Sequence, residues 1–203
     1  MMTSAAQTIE IAEEDRLRAD MYGFLSAFLA NPPSRGLLEQ SARLVGDDSD
    51  LGQAMTTFAK LAKAATPGSA EREFNELFIG IGRGELLPYA SYYMTGFLNE
   101  KPLASLRADM GNLQIDRAPN VYEPEDNIAS LMEMMGGMIE GRFGASVSLD
   151  RQRGFFNRHI APWAGHFFAD LEGARASRLY APLGAVGRHF IAIEREAFRL
   201  GGT

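Results

Sequence analysis

The 203-residue chain has no cysteine, one tryptophan and only three histidines. Without cysteine there can be no disulfide, no thiolate metal site and no cysteine nucleophile, which suits a reducing cytoplasm. The histidines do not make a metal centre either. His159 and His166 stand seven apart, two turns along one helix, and do not form a clustered ligand set. His159 reads as a packed or capping residue. No Glu-x-x-His pair occurs, which argues against a di-iron carboxylate bundle. Positive charge is short as well: 20 Lys and Arg against 26 Asp and Glu give a net charge of −6. No basic stripe is then available to displace counterions from phosphates, so nucleic acid is not an expected partner. Every apolar run is broken well short of the ~18 residues a membrane span needs, which excludes stable membrane insertion. Met1 to Asp15 has no basic start, no apolar core and no twin-arginine pair. The chain is expected to stay in the cytoplasm, with residues 1–12 a flexible segment and 13–200 a single domain.

Alternating runs of β-branched residues are also missing, so the expected fold is an all-α, single-domain multi-helix bundle. A helix is predicted over Glu13 to Leu29, with Leu17, Met21, Phe24, Leu25 and Phe28 on one face and Asn31-Pro-Pro33 as its stop. Shorter helices are predicted around 36–45, 51–65 and 70–79. Another starts at Pro102, with Leu103, Leu106, Met110 and Leu113 inward. Leu149 to Leu171 reads as one helix that Pro162 kinks or divides. The last helix carries Leu179, Leu183, Val186, Phe190, Ile193 and Ala197 at helical spacing.

What the chain does contain is concentrated in Val121 to Met135. Pro124 fits a first helical position, and Glu123, Glu125 and Asp126 put negative charge at the positive end of the helix dipole. Behind them Ile128, Leu131, Met132, Met135 and Met138 form one apolar face, and no Lys or Arg lies between Ala118 and Gly141. These features start and bury a helix without any ligand. They also suit a partner that is basic at one point and apolar beside it. Gly80-Ile-Gly-Arg-Gly84 invites a phosphate-loop reading, but it follows a helix and lacks the Gly-Lys-Ser/Thr ending. Glu123 and Asp126 have no nucleophile or metal set beside them, so catalysis is not expected.

Three separated segments together resemble the TorD/DmsD family of redox-enzyme maturation chaperones. Glu73-Phe-Asn-Glu-Leu-Phe-Ile-Gly80 with Pro88-Tyr-Ala-Ser-Tyr92 is similar to the family's Leu-Phe helix end and its proline–aromatic–x-Ser-x-Tyr turn. Glu123-Pro-Glu-Asp-Asn-Ile128 is similar to its Glu-Pro-x-Asp-His-Ile/Leu hallmark, and Phe155-Phe-Asn-Arg-His-Ile-Ala-Pro-Trp163 to a later phenylalanine, His-Leu and tryptophan pattern. Order and spacing agree from about Arg16 to Phe198. One departure is Asn127, where the family has histidine; asparagine keeps a hydrogen-bonding side chain but cannot become cationic near neutral pH.

The resemblance implies a cytoplasmic chaperone, not an enzyme, with no cofactor and no metal. It would bind the twin-arginine leader, and in some cases the body, of a molybdoenzyme precursor until the molybdopterin cofactor is in place. The clients implied are sulfoxide and amine-oxide reductases, nitrate reductases and formate dehydrogenases, and the chaperone itself is a monomer or a dimer. The implied leader-binding residues are Glu123, Pro124, Asp126 and Asn127 at a polar end, with Pro88, Tyr89, Ser91 and Tyr92 as the neighbouring wall and Phe78 shaping an apolar groove. Two other readings stay open: a helical adaptor using the methionine-rich face, and a small nucleotide-binding hydrolase using the glycine loop.

Overall fold

The computed structural model describes residues 11–201 apart from 118, 120, 121 and 145. The expectation for residues 1–10 lies outside them. The described residues form helices α1 (Glu13–Ala30), α2 (Arg35–Ser41), α3 (Asp50–Ala64), α4 (Pro67–Phe74), α5 (Ala90–Thr95), α6 (Lys101–Leu113), α7 (Ile128–Glu140), α8 (Leu149–Phe155), α9 (Ala164–Gly173) and α10 (Tyr180–Leu200). Among them there is no strand, only one isolated antiparallel bridge between Tyr89 and Asn127. The all-α expectation holds, and none of the helices is long and apolar enough to cross a membrane.

Several local expectations are corrected. The second helix ends at Ser41 instead of near 45; Val45 is exposed, and the next helix, α3, starts after its Ser49 cap. The division expected of the 149–171 helix at Pro162 is present: the π-turn after α8 ends at Ile160 and α9 begins at Ala164, because the missing proline N–H cannot continue the ladder. On α10, Ile193 and Ala197 face solvent. The inner face runs through Val186, Phe190, Glu194 and Phe198 instead. Leu17 likewise points outward, because α1 turns Arg18 and Tyr22 toward α10.

α7 lies in the middle of the bundle against α1. Met132, Met134, Met135 and Met138 are all buried in the core, which corrects the idea of an open methionine face. α10 packs on α9 and α3. The α9–α10 approach needs glycine at 187, where a Cβ would sit 2.2 Å from the Phe168 ring. A buried ionic group joins α1 to α10: Arg18 donates to both oxygens of Glu194 (2.8 and 2.9 Å), and the Tyr22 hydroxyl donates to Oε2 at 2.8 Å.

α4 and α8 each run on into one π-turn, Asn75–Ile79 and Phe156–Ile160. Such turns have i→i+5 bonds and often mark functional regions. In the second, His159 is buried and its Nε2 lies 2.7 Å from Asp109 Oδ2, which also accepts from Arg158 at 2.5 Å. Burial is the largest influence on both groups. It lowers the His159 imidazole past the lift from Asp109; in Asp109 it is outweighed by the hydrogen bonds from His159 and Arg158, which hold the carboxyl low. A histidine held low is protonated more readily unfolded than folded, so its contribution is lost as pH falls below about 6.5. A carboxyl held low loses its contribution below about pH 4. The thermal midpoint should therefore fall in two stages on acidification from pH 8. A midpoint that rises between pH 7 and pH 5 contradicts this.

Candidate functional site

Two segments far apart in sequence are joined into one structure. The Ala90 N–H donates to the Asp126 carbonyl at 3.0 Å and the Ile128 N–H to the Pro88 carbonyl at 2.8 Å. Pro88 is buried between them. The Asp126 side chain, only 1% exposed, turns inward and accepts from the Ser91 N–H at 2.7 Å. It thereby supplies α5 with an acceptor for one of its orphan amides. Asn127 does the same for α7, its Oδ1 accepting from the Ala129 N–H at 2.9 Å. One short loop thus caps two helices.

That arrangement corrects the expected helix start. α7 begins at Ile128 with Asn127 as its N-cap, so Pro124 is not a first helical residue and the first turn of α7 carries no acid. Pro124 instead opens a turn whose carbonyl accepts from the Asn127 N–H at 3.1 Å. The physical reason is the double commitment of Asp126 to α5 and Asn127 to α7, which leaves residues 123–126 outside any helix. Asn127→Ala should lower the unfolding free energy by about 1 kcal/mol, the usual worth of an N-cap side chain. Chemical denaturation checks this, and an unchanged midpoint contradicts the capping role.

The acids of the loop are also less free than the absence of local cations suggests. Glu125 is 8% exposed and accepts from Arg107 Nε (3.0 Å) and Nη2 (2.8 Å) of α6, with Arg117 at 3.6 Å. Burial works to raise this carboxyl, but the Arg107 guanidinium, helped by Arg117, holds it below the usual carboxylate range. Glu133 and Glu140 pair with Arg142. Glu123 remains exposed. Its Oε1 accepts from the Tyr89 hydroxyl and from Asn127 Nδ2 at 3.4 Å. Burial, then the Glu123 carboxylate, pushes the Tyr89 phenol well above its usual value. Ser91 Oγ and Asp126 Oδ1 are buried with no hydrogen-bond partner among the described residues.

Around this junction the other expected residues divide. Tyr92 is half-buried at the rim, where its hydroxyl accepts from Arg83 at 2.9 Å and its ring lies 5.4 Å below that guanidinium. Phe78 packs edge-on against Phe74 and Tyr180, so it supports the wall from the core side. Gly80, at φ 60° and ψ 177°, reverses the chain after the first π-turn in a region open to glycine alone. The glycine loop is thus accounted for by backbone geometry.

Exposed apolar surface at the far end of α5 is supplied by residues that helical periodicity did not single out. Met94, Phe97 and Leu98 are 44%, 70% and 42% exposed, at the end of α5 and in the turn to α6. Met94 lies about 6 Å of helix rise from Ala90, which is bonded to Asp126. Tyr122, 87% exposed, adjoins Glu123. The available signal was a Phe-Leu pair in a loop, between Gly96 and Asn99 at positive φ. Among the described residues, no three His, Cys, Asp or Glu side chains are grouped to hold a metal ion.

Residues 45–169 match the family described as nitrate reductase delta subunit. The chain is 27% identical to the chaperone protein TorD of Aliivibrio salmonicida over 173 residues, 74% of this chain and 80% of that one. It is 29% identical to the chaperone protein TorD of Vibrio cholerae serotype O1 over 126 residues, 59% of this chain and 57% of that relative. The match thus spans less than two thirds of the Vibrio cholerae protein's length. A crystal structure from Archaeoglobus fulgidus, provisionally described as a redox enzyme maturation protein, has the same fold. Its TM-score is 0.60 at 19% identity, over 92% of this chain and 99% of that one.

Proposed function

The chain belongs to the nitrate reductase delta subunit family, and from that premise we propose that it is a cytoplasmic chaperone of molybdoenzyme maturation that binds the twin-arginine leader of an unexported precursor. Its kinship with TorD chaperones bears out the reading of the three motifs. The role is one of binding, without catalysis or a resident cofactor. The observation that carries the proposal is the joining of Pro88–Ser91 to Asp126–Ile128. The exposed carboxylate of Glu123 is tied to Tyr89, at the start of the short helix α5, whose far end and following turn carry the exposed Met94, Phe97 and Leu98. A twin-arginine leader has complementary halves, two guanidiniums next to a short apolar stretch. Contiguous exposed apolar side chains rimmed by polar groups are a usual mark of an interaction site.

The polar half sets register and the apolar half supplies most of the affinity. An exposed ion pair is worth only ~0.2–1 kcal/mol, whereas apolar burial contributes about 25 cal/mol per Å². The adaptor reading loses its surface, since the methionines of α7 are in the core. The test is a calorimetric titration with a synthetic leader taken from the molybdoenzyme encoded beside this chain. One-to-one binding that weakens as salt rises is expected. Equal affinity at low salt for a leader with glutamines in place of both arginines would sink the proposal.

A further inference from the structure

We propose that Arg117 is a resident guanidinium, occupying the place that one of the leader's arginines takes on binding, so that the site selects its ligand by exchange. This inference rests on the leader-binding reading above and adds to it the order in which the loop's acids become available.

The acids of the loop are not equally open. Asp126 faces the interior and is committed to Ser91. The Glu125 side chain is 10% exposed, while those of Arg107 and Arg117 above it are 53% and 36% exposed. The loop therefore shows solvent the outer edges of two guanidiniums where its composition promises a carboxylate. Only Glu123 is left open, with Oε1 already engaged by Tyr89 and Asn127. A ligand with two guanidiniums thus meets one open carboxylate among Glu123, Glu125 and Asp126, and a second set of acceptors opens in this loop where a resident arginine leaves.

The two residents differ in how firmly they are held. Arg107 projects from within α6 and donates through both Nε and Nη2 to Glu125 Oε2. Arg117 follows the end of α6 and holds the loop with Nη1, 3.6 Å from Glu125 Oε1, and Nη2, which donates to the Glu123 carbonyl at 2.8 Å. Arg117 is the weaker of the two at Glu125 and the one free of helical restraint. When it swings out, it exposes Glu125 Oε1 and the Glu123 carbonyl, a pair of acceptors already spaced for one guanidinium. The leader's other arginine then takes the Glu123 carboxylate. Exchange of one guanidinium for another keeps the number of charge-assisted bonds, so it costs little. A lysine, with a point charge in place of a planar fork, does not reproduce it. Arg107 stays and positions the Glu125 carboxylate for the newcomer.

The experiment is a set of calorimetric titrations at low salt, using the twin-arginine leader and its glutamine-pair counterpart. The proteins are the parent chain, Arg117→Gln, Arg117→Lys and Arg107→Gln. Removing the competitor should make Arg117→Gln bind the twin-arginine leader about two- to five-fold more tightly, the range of a single exposed ion pair, with no change toward the glutamine-pair peptide. Arg117→Lys should show a smaller gain of the same sign, and it decides the matter if the glutamine variant proves poorly folded by circular dichroism. Arg107→Gln should weaken binding. If the parent distinguishes the two leaders but neither Arg117 variant gains affinity, the exchange is wrong and the leader reading stands. If the parent does not distinguish them, both fall.

Discussion

Replacing Asp126 with alanine is expected to lower the unfolding free energy by about 2–3 kcal/mol, the penalty for stripping a buried donor of a charged acceptor. The donor is the Ser91 N–H, in a residue with no solvent exposure, and the carboxylate that satisfies it is itself 1% exposed. The loss should appear in urea denaturation as a lower midpoint at unchanged slope. Asp126→Asn keeps an acceptor and should lose less. Because the charge points inward, Asp126→Asn should leave the salt dependence of leader binding nearly as it was, measured where the variant is fully folded. Glu123→Gln should flatten it, since Glu123 carries the exposed carboxylate. A stable Asp126→Ala protein, or a salt dependence that disappears with Asp126 and survives loss of Glu123, would reverse the roles assigned to these two acids.

The second large effect concerns the apolar half. Phe97→Ser should weaken leader binding by about ten-fold or more, from the 1.5–3 kcal/mol that full burial of such a side chain provides. It should do so with little change in stability, because the ring is 70% exposed in the free protein. Met94→Ser should act in the same direction. That combination separates a binding residue from a packing residue such as the partly buried Phe78, whose loss would disturb its contacts with Phe74 and Tyr180. A Met94→Ser, Phe97→Ser double variant with parental affinity places the apolar contact elsewhere.

How much of this was legible in the sequence depends on whether a feature is local. The long helices followed from apolar spacing, and the Leu-Phe, Pro-Tyr and Glu-Pro segments were recognisable in order. Their joining was not legible. Asp126 caps a helix that begins 36 residues earlier, and α5, at six residues, is too short to show a face. The acidic segment looked uncompensated because Arg107 lies 18 residues from its partner Glu125. For the same reason periodicity put Ile193 inside in place of Glu194, whose partner Arg18 is 176 residues away. Asn127 kept the hydrogen bonding expected of it, but as a helix cap, a role in which the cationic form of a histidine has no part.

The most direct test of the central claim is amide hydrogen exchange of the full chain, free and saturated with the twin-arginine leader. Slowed exchange is expected in the peptides covering residues 88–98 and 117–128, with α3, α9 and α10 unchanged. Protection confined to those distant helices, with none at the joined loops, would contradict it.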